Sequence, residues 1–184
     1  IAESGPLMNR LNIAAAAFLV GSGGLMASSY ADASSRTILI ENFTATWCGY
    51  CPSVSNAIVQ VMADYPGQTM GFQVHGSDSY TCAWGNSRLS FYNVGGFPTV
   101  WIDGWWSQVG TYGSESANYN NLISGMNAAM NRPTDVVISS AGEETSNSEY
   151  SMTWNLGVES GGQAKTVRFY AVQALDVYPS GGTH

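Results

Sequence analysis

The chain has 184 residues, of which 45% are hydrophobic and 10% charged, so it is long and apolar enough to bury a core and is not a disordered tail. Six Lys and Arg residues against thirteen Asp and Glu residues give a net charge of −7. A chain with so few cations cannot build a basic patch, which argues against nucleic acids and anionic membranes as partners.

The first 33 residues have the pattern of an export signal. Met8 and Arg10 open a short positive start, and the mostly apolar stretch 11–27 is too short and too broken by Gly and Ser for a convincing membrane span. The small-x-small sequence Ala-Asp-Ala at 31–33 predicts cleavage before Ser34. We therefore expect an upstream extension at 1–7 and a signal peptide at 8–33, with an uncleaved anchor as the alternative. No Cys directly follows the apolar stretch, so no lipid anchor is expected.

Strand and helix patterns alternate between residues 36 and 131. A β-branched and aromatic run predicts a buried strand at 36–45, and apolar residues at helical spacing predict a helix at 51–65. There follow a strand at 70–75, a polar loop at 76–86, a short helix at 87–94, strands at 99–102 and 105–109, and a helix at 114–131. Asp103-Gly104 is a hairpin turn dipeptide between the last two strands. A strand–helix–strand unit needs parallel strands and a hairpin needs antiparallel ones, so this order predicts an α/β fold with a mixed sheet.

The pattern changes after Pro133. Three strand-like runs, at 135–142, 149–158 and 165–175, are separated by polar loops and show no helical period. Three strands are few for an independent sandwich. We therefore predict a first domain at 34–132 and a partial, truncated all-β module at 133–184.

Cys48 and Cys51 form a Cys-x-x-Cys sequence where a predicted strand passes into a predicted helix. The N-terminus of a helix stabilises a thiolate, so Cys48 is a candidate nucleophile and the more buried Cys51 a candidate resolving thiol. The same pair could be half a zinc site, but such a site needs a second pair of ligands. Only Cys82, His75 and His184 remain, so no metal site is expected.

Two segments resemble the thioredoxin superfamily. "TWCGYCP" at 46–52 is similar to its active-site turn, and "GGFPT" at 95–99 to its cis-proline loop, within a likeness that covers about residues 36–131. The resemblance implies a thioredoxin-like fold, no cofactor, a cis Phe97–Pro98 bond facing the cysteines, and a catalytic set of Cys48, Cys51 and Pro98. It further implies that substrate-binding positions are Trp47, Gly49, Tyr50, Phe97 and Thr99.

The sequence "ILIENFTATWCGYCP" followed by a β-rich module most resembles a group of exported bacterial thioredoxin-like proteins, some of them associated with the surface or outer membrane. The resemblance places Asn42 where cytosolic thioredoxins carry a buried aspartate. Asn cannot act as a base, so fast proton shuttling at this position is in doubt. Glu41 is adjacent, but strand alternation directs it to the other face.

Three further features have a functional and a structural interpretation. Cys82 is either a third redox thiol or intermolecular disulfide site, or a spectator. His75 is either a proton shuttle or copper ligand, or a histidine with its hydrogen bonds satisfied at the end of a strand. The tryptophans at 84, 101, 105 and 106 either line a groove for unfolded protein or belong to the core. The structural interpretation is favoured in each case.

Two functional hypotheses follow. The favoured one is an exported thiol–disulfide oxidoreductase, located in the periplasm, at the outer membrane or outside the cell. Its partners are protein thiols and disulfides and a redox partner of unknown identity. The alternative is a secreted or surface binding module in which the thioredoxin-like domain is a scaffold and the Cys48–Cys51 disulfide stays closed, because a fold alone does not establish an activity.

Overall fold

A computed structural model describes residues 11–12, 36–146, 149–163 and 166–172. The chain divides into two compact units: one contains the described residues from 36 to 133, and the other contains residues 134–172 and the short strand β1 (Leu11–Asn12). Apart from β1, the predicted signal peptide lies outside the described residues, as do the predicted extension at 1–7 and His184. Within the described ranges, no helix is long and apolar enough to cross a membrane.

A four-stranded mixed sheet is the centre of the first unit. Its strands are β2 (Ile38–Thr44), β3 (Thr69–His75), β4 (Thr99–Ile102) and β5 (Trp106–Val109), in the order β3-β2-β4-β5. Strand β2 runs parallel to β3 and antiparallel to β4, and β4 pairs antiparallel with β5. Asp103 and Gly104 both have positive φ angles, as a two-residue hairpin turn requires. The predicted mixed α/β fold is confirmed.

Three helices cover the two faces of this sheet: α1 (Cys51–Asp64), α2 (Ala83–Phe91) and α3 (Glu115–Met130). Neighbouring residues of β2 show the division, because Asn42 bonds to Ser55 of α1 and Glu41 bonds to Arg88 of α2. Glu41 therefore faces away from Asn42, as strand alternation predicts. The core between the sheet and helices α1 and α3 is formed mainly by Ile38, Ile40, Val54, Val61, Val100, Ile102 and Leu122.

The predicted start of α2 was wrong. The helix begins at Ala83, not at residue 87, and it ends at Phe91. Cys82 is its N-cap: its backbone is extended and its sulfur accepts the Gly85 N–H at 3.3 Å. Because Ser, Thr, Asp and Asn are the usual N-cap residues, a thiol in this role gave no sequence signal. Trp105 was also misassigned, since it precedes β5.

The second unit contains a long antiparallel hairpin, β6 (Val136–Ser146) and β7 (Glu149–Val158), with an irregularity between Glu144 and Ser146. The short strand β8 (Thr166–Val167) pairs with β1. The third predicted strand, at 165–175, is wrong over most of its described length, because residues 168–172 are irregular.

The β6–β7 hairpin has one apolar and one polar face. Its register pairs Ile138 with Leu156 and Val136 with Val158, and strand alternation places Met152 and Trp154 on the same face. Ile138, Met152 and Trp154 are all exposed. A two-stranded sheet is at best marginally stable in water, so this unit has little support from its own packing.

Candidate redox site

The site is built around a disulfide between Cys48 and Cys51 at the start of α1, with the two sulfurs 2.01 Å apart. Strand β2 ends at Thr44, and the following turn is fixed by hydrogen bonds from the Cys48 N–H to the Ala45 carbonyl and from the Cys51 N–H to the Cys48 carbonyl. Cys48 is 6% exposed, whereas Cys51 is fully buried. An incoming thiol or disulfide can therefore reach Cys48 first.

The N-terminus of α1 is open toward an anion. Its N-cap, Tyr50, makes no side-chain capping bond, and the first turn contains no acidic residue. Pro52 lies in that turn, where its missing N–H removes no helical hydrogen bond. The remaining N–H groups and the helix dipole favour negative charge at this end, which is the electrostatic condition for a stabilised Cys48 thiolate.

The loop before β4 completes the surroundings of the disulfide. The Phe97–Pro98 peptide bond is cis, as the resemblance implied. The Phe97 side chain packs on a small cluster that contains Cys48 and Cys51. Thr99 is buried, and its hydroxyl donates to the Gly96 carbonyl at 2.8 Å, which closes this loop.

The remaining predicted site residues surround the same position. Trp47 is 64% exposed and its ring lies 5.8 Å from that of Phe97. Tyr50 and Gly49 are exposed between the two cysteines. The structure thus brings the cysteines, Trp47 and Phe97 together in one place, while the catalytic and substrate-binding roles of all eight predicted residues remain predictions.

Asp78 is a residue of this site that the sequence analysis missed. Its Oδ2 accepts the Thr46 N–H at 2.8 Å and lies 2.7 Å from Nδ1 of His75, and its Oδ1 accepts the Tyr80 N–H at 2.9 Å. The neighbouring Ser77 carbonyl accepts the indole N–H of Trp47 at 3.0 Å. An acidic residue in a polar loop carries no sequence signal of a contact 32 positions earlier in the chain.

The ionised form of Asp78 is favoured in the folded protein. Burial alone would raise the pKa of this carboxyl group, but hydrogen bonds from His75 and from the N–H groups of Thr46 and Tyr80 outweigh burial and lower the pKa below its ordinary value. Its contact with His75 also supports the structural interpretation of that histidine as a residue with a satisfied side chain.

A cluster of three neutral polar side chains lies on the α1 side of the sheet. Asn42 is 1% exposed, and its amide donates to the Ser55 hydroxyl at 3.0 Å, which also accepts from the Gln73 amide at 3.3 Å. Ser55 follows Cys51 by one helical turn, so it occupies the same face of α1. None of these three side chains can act as a base, in keeping with the expectation stated for Asn42.

The other candidate residues lie in separate surroundings. Cys82 is exposed and not disulfide-bonded, and it caps α2. The four tryptophans have different partners: Trp84 packs near Phe72, Trp101 stacks on Tyr92, Trp105 lies against Arg132, and Trp106 joins the core. Among the described residues, no group of three or more His, Cys, Asp or Glu side chains could hold a metal ion.

Comparisons with solved structures find similar chains at low identity. HBP35 of Porphyromonas gingivalis is 20% identical with a TM-score of 0.53, over 69% of this chain and 44% of that one. Thioredoxin O2 from Arabidopsis thaliana in the oxidized state is 22% identical with a TM-score of 0.37, over 51% of this chain and 78% of that one. The fold is thioredoxin-like. The thioredoxin-like arrangement is also similar to the germline-specific thioredoxin Deadhead of Drosophila melanogaster, at 18% identity and a TM-score of 0.37, over 52% and 83% of the two chains.

No protein-family model and no curated protein matches the sequence. The chain spans less than half the length of HBP35. The likeness to HBP35, at a TM-score of 0.53 and 20% identity, shows a shared fold and carries no activity to this chain, since unrelated functions use the same fold.

Proposed function

We propose that this protein is an exported thiol–disulfide oxidoreductase that acts on protein substrates, with Cys48 as the nucleophile and Cys51 as the resolving cysteine. The observation that carries the proposal is the Cys48–Cys51 disulfide at the uncapped N-terminus of α1. The unequal burial of the two cysteines supports the division of roles, because Cys48 is 6% exposed and Cys51 is fully buried.

In the reducing direction, the thiolate of Cys48 attacks one sulfur of a substrate disulfide. A bond forms between Cys48 and that sulfur, the substrate disulfide breaks, and the other substrate sulfur leaves as a thiolate that takes a proton from solvent. Cys51 then attacks the Cys48 sulfur, which breaks the mixed disulfide, and the second substrate sulfur leaves and takes up the proton that Cys51 gives up. The substrate gains two electrons, the Cys48–Cys51 pair loses two, and a dithiol partner must reduce the pair again.

The cis-proline loop supplies the docking edge in this proposal. Phe97 packs on the cluster that contains the two cysteines, the cis-bonded Pro98 follows it, and Thr99 begins β4. Exposed Trp47 and Tyr50 flank the reacting sulfur on the turn itself. A substrate segment that reaches Cys48 would contact both aromatic rings.

Export is the second part of the proposal, and its support is the sequence pattern of residues 8–33. Disulfides persist outside the reducing cytosol, so a periplasmic, outer-membrane or extracellular location is consistent with an oxidised resting state. Cleavage can be tested by expressing the full chain in a bacterium and determining the N-terminal residue of the fractionated protein, for which we expect Ser34.

The redox activity is tested by equilibrating the protein with a series of glutathione buffers and measuring the fraction of oxidised pair. We expect a reversible transition between about −270 and −120 mV, the range of thioredoxin-like proteins. The Cys48→Ser variant should lose exchange with a peptide disulfide, and the matched variant Cys82→Ser should keep it. Equal activity of Cys48→Ser and the unaltered protein would refute the proposal.

A binding module with a permanently closed disulfide is the second candidate, and the exposed apolar face of the β6–β7 hairpin favours it. This face presents Ile138, Met152 and Trp154 to solvent, and apolar patches of this kind mark interaction sites. If neither glutathione nor a mild dithiol opens the disulfide of the folded protein, this second function replaces the first.

A further inference from the structure

The loop that follows β3 holds the turn that precedes Cys48. Asp78 accepts the N–H of Thr46, and the Ser77 carbonyl accepts the indole N–H of Trp47. We propose that Asp78 is a positioning residue that fixes this turn and, through it, holds Trp47 as a preformed platform for protein substrates. The inference rests on the proposed oxidoreductase function and adds to it a determinant of substrate affinity.

The Asp78 carboxylate joins three parts of the chain. Its Oδ2 accepts the Thr46 N–H and lies within hydrogen-bond distance of His75 Nδ1, while its Oδ1 accepts the Tyr80 N–H within the same loop. The side chain is 2% exposed, so water does not readily replace a lost partner. Both oxygens are needed as acceptors, and an amide at this position would turn an N–H₂ group toward one of the N–H donors.

The Trp47 side chain is exposed to solvent but is held in place by its contacts. The residue is 64% exposed, yet its indole N–H donates to the Ser77 carbonyl and its ring lies 5.8 Å from that of Phe97. A free side chain loses rotamer entropy when a partner binds, and a side chain that is already fixed avoids that cost. Buried tryptophan anchors are also among the strongest contributors to protein interfaces.

Loss of the restraint should therefore weaken binding of a protein substrate more than reaction with a small disulfide. A folded protein substrate offers a larger surface to the exposed Trp47 ring than the tripeptide glutathione does. For Asp78→Asn and for Trp47→Phe, we expect KM for a protein disulfide to rise about threefold to tenfold relative to KM for glutathione disulfide, the size expected for ordering one side chain.

The experiment measures steady-state exchange with a folded protein disulfide and with glutathione disulfide for four single variants of the full chain. Asp78→Asn and Trp47→Phe are the test variants. Their matched controls are Asp64→Asn, which removes an acceptor of the Tyr119 hydroxyl on an exposed surface, and Trp105→Phe, which alters a ring against Arg132. Both controls should keep the unaltered ratio of the two KM values.

A double variant tests whether Asp78 affects substrate binding through Trp47. If Asp78 acts by holding Trp47, then Asp78→Asn combined with Trp47→Phe should raise the KM ratio no further than the larger single effect. Full additivity of the two effects would overturn the proposal. Equal loss of exchange with both substrates in Asp78→Asn would also overturn it, because that result indicates general damage to the site.

The outcomes separate this inference from the proposed function. If the unaltered protein exchanges disulfides, and if Asp78→Asn and Trp47→Phe have the same ratio of KM values as the unaltered protein, the positioning role is refuted and the proposed function stands. An unaltered protein that exchanges with neither substrate refutes both. Far-ultraviolet circular dichroism confirms that each variant is folded. If Asp78→Asn does not fold, Asp78→Glu, which keeps the charge but displaces the acceptor oxygens from the Thr46 N–H, is measured in its place with the same expected and contradicting outcomes.

Discussion

Glu41 and Arg88 form a bidentate ion pair on the face of the sheet opposite α1, with the guanidinium nitrogens 2.6 and 2.9 Å from the two carboxylate oxygens. Glu41 is 1% exposed. Tyr92 donates its hydroxyl hydrogen to the same carboxylate at 2.6 Å. Burial and this bond to Glu41 raise the pKa of Tyr92, so the phenol remains a neutral donor. The cluster fastens α2 to β2, the strand that leads into the redox turn.

We predict that Glu41→Gln lowers the free energy of unfolding by about 3 kcal/mol, because it removes the negative charge of a buried, bidentate ion pair while the Arg88 guanidinium stays charged. Urea unfolding at neutral pH measures the loss. The triple variant Glu41→Leu, Arg88→Met, Tyr92→Phe removes every polar member of the cluster, and apolar replacement of a buried pair is often neutral. A triple variant less stable than Glu41→Gln would contradict this account.

Asp78 should make the free energy of unfolding depend on pH in the acidic range. Its pKa is lower in the folded protein than in the unfolded chain, so its stabilising contribution is present above the unfolded value of about 3.9 and is lost as the pH falls through the folded value. We expect the difference in unfolding free energy between the unaltered protein and Asp78→Asn to be constant from pH 6 to about pH 5 and to shrink below about pH 4. A difference independent of pH would show that the ionised carboxylate is not the stabilising form.

The sequence predicted the elements whose signals are local. The helix at Cys51 follows from apolar spacing and Pro52, and the β4–β5 hairpin follows from the Asp103-Gly104 turn. Contacts between distant positions were not predictable, because a loop acid such as Asp78 looks the same whether or not it bonds to the redox turn. The start of α2 was missed for a different reason, since its cap is a thiol. Local patterns thus located the cysteines, and only the folded chain revealed what holds them.

Gly125 allows α3 to pack closely on the β4–β5 hairpin. A Cβ atom at this position would lie 2.5 Å from Cδ2 of Trp106, which is too close for any real contact. We predict that Gly125→Ala destabilises the protein by about 1–2 kcal/mol, since overpacking costs about 1–3 kcal/mol and outweighs a gain in helix propensity of up to about 1 kcal/mol. Thermal unfolding measures the change.

The matched variant for this prediction combines Gly125→Ala with Trp106→Leu. The smaller side chain removes the clash, so the alanine should then cost nothing or stabilise the helix when it is compared with Trp106→Leu alone. A similar loss in both backgrounds would mean that the ring of Trp106 does not limit the approach of α3.

Asn42 gives the sharpest test of the neutral polar cluster beside α1. In Asn42→Asp, the carboxyl group would take the place of a side chain that is 1% exposed and whose hydrogen bond in the described structure is to the neutral Ser55 hydroxyl, so burial should raise its pKa above the unfolded value of about 3.9. The unfolded chain would then ionise first as the pH rises. The free energy of unfolding should fall between about pH 4 and the folded pKa, by about 1.4 kcal/mol for each unit of difference.

Asn42→Leu is the control, because it removes the amide without adding a titratable group, and its stability relative to the unaltered protein should not change between pH 4 and pH 8. The same pair of variants bears on function: Ser55 shares a helix face with Cys51, so an acid at position 42 should add an ionisation to the pH profile of mixed-disulfide resolution. Parallel stability curves for the two variants would show that position 42 is hydrated and that burial does not raise the pKa of an acid placed there.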